Sequence, residues 1–149
     1  MKAVLQRVSS ARVTVGRREV GAIGGGILAF VGVEPGDGAA DVEYIARKVR
    51  ELRIFDDDGG RMNLSLADVG GGVLAVSQFT LLADCRKGRR PSLDAAAGTA
   101  EARAMYDALV DRLRSDGVTV ATGEFQARMQ VSLVNDGPVT LLLDSRRRE

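Results

Sequence analysis

The stretch Val131-Ser132-Leu133-Val134-Asn135-Asp136-Gly137-Pro138-Val139-Thr140-Leu141-Leu142-Leu143 decides how this chain is read. Its flanks, Val131 to Val134 and Val139 to Leu143, have the Val- and Leu-rich composition of strands. Between them Asn, Asp, Gly and Pro follow one another, a turn signal. The plain reading is a turn between two strands. Two features ask for more. Gly137 can adopt backbone angles closed to other residues, and Pro138 lacks an N–H and fixes its own φ. An X–Pro bond is also the cheap place for a cis peptide, and one is expected at Gly137-Pro138. A Gly-Pro pair on a rigid two-strand base can aim two carbonyls at one point, a binding device made of main chain.

Outward from this stretch the chain supplies the rest of a sheet. Val4 to Val15 alternates in polarity and reads as a long strand with a bulge near Ser9-Ser10. Gly16-Arg17-Arg18 turns it, Glu19 to Ile23 returns as a hairpin, and Ile27 to Val33 is a continuous apolar run fit for a central strand. Gly24-Gly25-Gly26 lacks the spacing of a phosphate or dinucleotide loop and is read as a turn. Asp37 is the expected N-cap of a helix carrying Val42, Ile45, Val49 and Leu52 at helical spacing. Leu52 to Phe55 reads as a short extended piece. Asp56-Asp57-Asp58-Gly59-Gly60 resembles half a calcium loop, but no bidentate Glu follows, so it is a solvated turn. Val73 to Phe79 is a strongly apolar strand after Gly70-Gly71-Gly72. Thr99 is the expected cap of a second helix buried along Ala102, Met105, Tyr106, Leu109 and Leu113, and Gly117 ends it. Val118 to Ala121, Glu124 to Val134 and Val139 to Asp144 complete the sheet, and residues 145–149 form a basic tail expected to fray. The order predicts one α+β domain over residues 1–149, with a curled, barrel-like, mostly antiparallel or mixed sheet and two main helices.

Composition narrows the chemistry. The 149 residues suffice for one domain with a real core, and 45% hydrophobic with 28% charged residues is ordinary globular composition. A net charge of +1 excludes a globally basic nucleic-acid binder while leaving room for a local patch. With no His there is no imidazole base, no Ser-His or Cys-His pair and no His metal ligand. The single Cys85 excludes an internal disulfide and a multi-Cys zinc site, and a lone thiol suits a reducing cytoplasm. The N-terminus lacks a signal-peptide core, and no apolar run approaches the ~20 residues that span a bilayer. No metal, cofactor or membrane is expected.

Two further segments carry polar groups where a site would need them. Ser77-Gln78-Phe79-Thr80-Leu81 closes a buried strand, and strand ends on a rigid scaffold carry function. Ser77 and Thr80 are possible nucleophiles, although without His each needs another activator, and either hydroxyl can simply satisfy backbone groups. Arg86, Lys87, Arg89 and Arg90 form a basic loop ended by Pro91-Ser92, read as a phosphate contact or as solvated surface.

The two motifs Ser77-Gln78-Phe79-Thr80-Leu81 and Asn135-Asp136-Gly137-Pro138-Val139-Thr140, in this order, closely resemble the signatures of the D-aminoacyl-tRNA deacylases. The resemblance runs nearly the whole chain, through Val4 to Val8, Leu52 to Asp56 and Lys87 to Ser92. It implies a homodimeric hydrolase that cleaves the ester between a D-amino acid, or glycine, and tRNA. It further implies that Gly137-Pro138 of one subunit, flanked by Asn135 and Thr140, enters the other's pocket, opposite a wall of Ser77, Gln78, Phe79 and Thr80. Phe125 and Met129 are implied as pocket or tRNA contacts. The chain departs from the family at Gln126, where Gly is usual, at Arg128, where an acidic residue is usual, and at Leu93, where Phe is usual. Under this reading main-chain N–H groups near Phe79 and Thr80 hold the oxyanion. Carbonyls crowding the α-carbon leave no room for an L side chain. The attack is assisted by the terminal 2′-OH or made by Thr80. The competing reading is a non-catalytic, dimeric RNA-binding protein that uses the loop 86–90. A low aromatic content of 4% argues against it, because single-strand RNA readers stack bases on rings.

Overall fold

The N-terminal strand β1 (Lys2–Val15) is the spine of the molecule, because three other strands pair with it. The structure is a computed structural model and describes residues 1–147. The first half of β1 pairs antiparallel with β3 (Gly26–Gly32), and its second half with β2 (Arg18–Ile23). Its other edge is taken over nearly its whole length by the last strand, β8 (Gln130–Asp144). Between β3 and β8 the chain forms α1 (Ala39–Glu51), the small hairpin β4 (Phe55–Asp56) and β5 (Met62–Leu64), and the single turn α2 (Leu66–Val69). It continues through β6 (Gly72–Ser77), α3 (Thr99–Ser115) and β7 (Val120–Thr122). The pairs β3–β6 and β6–β7 are parallel, so the sheet is mixed as expected.

Burial explains the two continuous apolar runs. Ile27, Ala29 and Val31 of β3, with Val73 and Ala75 of β6, pack against α1 and α3. Leu28, Leu74 and Val76 point the other way, into the interior of the curled sheet. Both strands are covered on both faces, and such strands need no polar alternation. β1 serves both cores in turn: Ala3 and Leu5 belong to the helix side, Val8, Ala11 and Val13 to the interior. The exchange happens at register shifts around Val8, where Ser9 is an extra residue on β1, at the expected bulge. The sheet curls until β2 lies against β7. A Cβ on Gly21 would sit 2.2 Å from the Thr122 carbonyl oxygen, so only glycine lets the two strands come this close.

Several sequence expectations are corrected. Asn135 to Thr140 is not a turn between two paired strands. Both flanks pair with β1, not with each other. Between the pairs Gln6↔Thr140 and Val8↔Asn135, β1 advances two residues and β8 five, so three residues are extruded from one long strand. Turn chemistry in the sequence is the same whether a chain reverses or merely bulges. β8 begins at Gln130, and Glu124 to Ala127 is a turn closed by the Ala127 N–H on the Glu124 carbonyl. β6 ends at Ser77, and Phe79–Leu82 is a 3-10 turn instead of strand. Asp37 does not cap α1, whose N-cap is Gly38; its buried carboxylate accepts from the Met1 amine at 2.9 Å and from the Glu34 N–H at 2.8 Å. Thr99 is the first residue of α3 and Gly98 its cap. The tail is tied down where it was expected to fray. The Ser145 side chain is buried and accepts from the Met1 amine, and Arg146 pairs with Glu34 and Asp37. Arg148 and Glu149, also assigned to that tail, lie outside the described residues. The helical stripes do bury Val42, Ile45 and Val49 of α1, and Tyr106, Leu109 and Leu113 of α3.

Candidate active site

A cavity of about 440 Å³ opens where β6 ends. One wall is Val76, Ser77, Gln78 and Phe79, a second is Ala97, Thr99 and Ala102 at the start of α3, and a third is Phe125, Gln126, Ala127 and Met129. Parallel pairing of β6 with β3 and β7 fixes the first wall, and the Gln78 N–H donates to the Val31 carbonyl at 2.8 Å. The other walls are joined through Tyr106 of α3. Its hydroxyl donates to the Ala75 carbonyl at 2.7 Å, the same carbonyl that accepts from the Gly123 N–H at 3.0 Å. Burial, reinforced by the negative charge of Asp107, pushes the Tyr106 phenol up to about 12, so it is neutral and a permanent donor. The Phe125 ring stacks on Tyr106 at 6.2 Å between centroids, and the Arg103 guanidinium lies over the Phe125 ring, 5.1 Å from its centroid.

Among the described residues no ionisable side chain lines this cavity. Its polar groups are the Ser77 hydroxyl, the Gln78 and Gln126 amides, the Thr99 hydroxyl and main chain. Directly after Gln78 the 3-10 turn begins, and the N–H groups of Phe79 and Thr80 have no carbonyl of that turn to bond. The Thr80 hydroxyl is exposed, outside the cavity lining, and accepts a very short hydrogen bond from Gln78 Nε2.

The cavity thus brings together Ser77, Gln78, Phe79, Phe125 and Met129, but not Thr80, and not the Gly137-Pro138 segment of the same chain. That segment forms a second constellation. Its peptide bond is cis and both residues are exposed. Asn135 spans its base: Oδ1 accepts from the Val139 N–H at 3.1 Å, and Nδ2 donates to Thr140 Oγ1 at 3.1 Å. From below it is held by Arg7. Arg7 Nε donates to the Asp136 carbonyl at 3.0 Å, and Nη1 donates to the Ile54 carbonyl at 2.7 Å and reaches Asp56 at 3.3 Å. Gly137 has φ 129°, and a Cβ there would meet Arg7 Nη2 at 2.9 Å. Sequence reasoning passed over Arg7 as one polar member of an alternating strand. The signal was available, since Arg7 continues the inward series Ala3, Leu5, and a charge at an inward position asks for partners.

The basic loop is a third, separate feature. Backbone bonds between Asp84 and Ser92, at 2.8 and 2.9 Å, close its neck. Arg86 folds back onto Asp84 through Nε and Nη2 at 2.9 and 2.8 Å, and this holds the Asp84 carboxyl at about 2. Lys87, Arg89 and Arg90 are exposed and have no ion-pair partner among the described residues. Arg128 and Leu93 are exposed and outside the cavity lining, whereas Gln126 is part of it. Among the described residues no group of His, Cys, Asp and Glu is placed to hold a metal, and no helix is long and apolar enough to cross a membrane.

The family model and the sequence relatives agree on one family. A family model described as D-Tyr-tRNA(Tyr) deacylase matches residues 4–144. A D-aminoacyl-tRNA deacylase of Heliobacterium modesticaldum is 57% identical over 149 residues, covering 100% of this chain and 99% of the relative. One from Pelobacter propionicus is 59% identical over 144 residues, covering 97% and 99%. Among solved structures, a c-Myc DNA Unwinding Element Binding Protein superposes with a TM-score of 0.91 at 39% identity, covering 97% of this chain and 98% of the other. A probable eukaryotic D-amino acid tRNA deacylase shares the fold, with a TM-score of 0.81 at 17% identity over 95% and 97% of the two chains. With its sheet, its Ser77–Thr80 strand end and its Gly137-Pro138 bulge, the chain belongs to the D-aminoacyl-tRNA deacylase family.

Proposed function

We propose that this protein hydrolyses the ester joining a D-amino acid, or glycine, to tRNA, in the cytoplasm and as a homodimer. The observation that carries the reading is a cavity lined, among the described residues, without ionisable side chains, set beside the N–H groups of Phe79 and Thr80 that open the 3-10 turn. An aminoacyl ester is already activated. Its hydrolysis needs a place for the developing oxyanion more than a strong side-chain base, and preorganised N–H donors supply that place. Water adds to the ester carbon, the C–O bond to the terminal ribose breaks, and the ribose oxygen leaves with a proton. The neighbouring 2′-OH is positioned to assist that proton transfer. Thr80, tied to Gln78 and outside the cavity, is poorly placed as a nucleophile.

Chirality is read in this scheme by main chain. The cavity lacks the Gly137-Pro138 segment of its own chain, and Arg7 and Asn135 hold that segment outward. Inserted by a partner protomer, its carbonyls would hold the α-ammonium and exclude an L side chain while admitting hydrogen. The deciding experiment is hydrolysis of D-tyrosyl-tRNA, glycyl-tRNA and L-tyrosyl-tRNA by the purified protein. Rapid release from the first two and none from the third is expected, and equal rates on the D and L esters would refute the filter. The exposed Lys87, Arg89 and Arg90 favour one other reading, RNA binding without catalysis. A protein that binds tRNA and hydrolyses none of the three esters would establish it instead.

A further inference from the structure

Among the described residues the cavity lining holds no ionisable side chain, so charge on a substrate must be met outside it. Cations gather around the third wall. Arg18, the first residue of β2, donates from Nη2 to both Glu124 carboxylate oxygens at 3.4 Å. Arg103, in the second turn of α3, lies over the Phe125 ring and donates from Nε to Asp107 at 3.1 Å. Arg128 is exposed between the lining residues Ala127 and Met129. Guanidinium groups from β2, from α3 and from the segment itself thus border residues 124–129. These arginines do little for the fold. The Arg18 and Glu124 side chains are 65% and 44% exposed, and those of Arg103 and Asp107 56% and 50%. Ion pairs so open to water stabilise little, so each guanidinium can exchange its carboxylate for another anion. The pairs still hold the side chains near the wall, and Phe125 restricts Arg103 further. Less rotamer freedom is then lost when a ligand arrives.

We propose that Arg18, Arg103 and Arg128 form a phosphate-binding rim that holds the RNA strand of the substrate outside the cavity, on a surface separate from the loop 86–90. This rests on the functional reading above. The ester cannot be presented without the phosphodiesters that precede it in the strand, and each of them is an anion. A guanidinium can meet two phosphate oxygens with two parallel N–H donors, which an ammonium cannot, and arginine stands at all three positions. Contacts of this kind position a strand without reading its sequence. The rim also keeps the strand's charge in water, where it costs least, and leaves the uncharged cavity free of it.

The test compares D-tyrosyl-tRNA with 3′-O-D-tyrosyl-adenosine, an ester without phosphates. One variant combines Arg18→Gln, Arg103→Gln and Arg128→Gln and leaves Lys87, Arg89 and Arg90 in place. At low salt, the ratio of kcat/KM for the tRNA to kcat/KM for the small ester is expected to fall about tenfold or more. For the tRNA, the slope of log kcat/KM against log salt should flatten by about two units, at ~0.7 for each phosphate of a single strand. Arg103 is also taken alone, because it touches Phe125. Arg103→Lys keeps the charge and should keep the wild-type slope, whereas Arg103→Gln should flatten it by ~0.7. An unchanged slope in the triple variant would overturn the proposal and make the rim solvated surface. Equal losses on the two esters would overturn it too, and would assign the arginines to the support of the Phe125 wall. A wild-type protein that hydrolyses neither ester would refute the functional reading itself. The rim is then judged by the salt slope of tRNA binding, which the triple variant should still flatten, and an unflattened slope would end the proposal as well.

Discussion

Arg7 is the residue on which the exposed Gly137-Pro138 segment rests. One planar guanidinium joins the Asp136 carbonyl, the Ile54 carbonyl and Asp56, a fork that an ammonium cannot reproduce. Arg7→Lys is therefore expected to lower turnover of D-tyrosyl-tRNA at least tenfold while the protein stays folded. Gly137→Ala presses a Cβ onto Arg7 Nη2 in a backbone region that suits glycine, at a cost of about 1–3 kcal/mol. At roughly 2–4 °C per kcal/mol for a chain of this size, differential scanning calorimetry will register it as a fall of several degrees in Tm. Thr80→Ala should behave differently, because its hydroxyl meets only Gln78 and stands outside the cavity. Turnover within tenfold of wild type is expected; a loss of several orders of magnitude would make Thr80 the nucleophile. Tyr106 ties pH to stability. Its phenol titrates near 12 in the fold against an ordinary value of about 10, so the native state holds the proton longer than the unfolded chain. The stabilisation is complete below pH ~10 and is lost as pH rises through ~12. In Tyr106→Phe that part of the alkaline decline in denaturation midpoint should vanish, while neutral-pH stability falls by about 1 kcal/mol for the lost hydrogen bond.

At the scale of elements, the basic loop separates into parts with different roles. Asp84 neutralises Arg86, and Lys87, Arg89 and Arg90 project from a neck closed by the Asp84–Ser92 bridge. If those three cations meet phosphates, removing all three should flatten the salt dependence of tRNA affinity by about two to three logarithmic units per decade of salt. Arg86→Gln alone should change it by less than one. An unaltered slope in the triple variant would make the loop plain surface. The strands and helices were legible because their cause is periodic: Val42, Ile45 and Val49 repeat at helical spacing, and β3 and β6 are buried on both faces and so apolar throughout. Where elements end was less legible. Gly38 and Gly98 cap the two main helices without side chains, so the sequence offered Asp37 and Thr99 instead. Phe79 continues the apolar run of β6 but belongs to a 3-10 turn, because β3 stops pairing at Ser77. Ser77, Gln78 and Phe79, which line the cavity, stood out as a motif, whereas Arg7 did not, since its partners are distant in sequence.

For the whole molecule, the cavity beside Ser77 and the exposed Gly137-Pro138 segment lie apart in one chain, and the proposed function needs a second copy to join them. β8 offers a long outer edge with no strand beside it among the described residues, and Val134 and Leu142 stand exposed on it, Leu142 at 80%. Exposed apolar groups along a free edge ask for a cover, and a second copy is the cover that the functional reading requires. Leu142→Lys should yield a folded monomer by sedimentation with at least a hundredfold loss of deacylation, and a monomer with full turnover would end the dimer account. The pairing of first strand with last was invisible in the sequence, because no local signal links residues 2–14 to residues 130–144. It also bears on how the protein is made. On the ribosome β1 leaves before β2 and β3 and can pair with them as they follow, yet its other edge has no partner until β8 has been synthesised. Between the synthesis of β3 and that of β8 the nascent chain carries a long unpaired edge, open to other nascent copies. A message truncated before the codon for Gln130 would leave it so permanently, and such fragments belong to the chaperones and proteases.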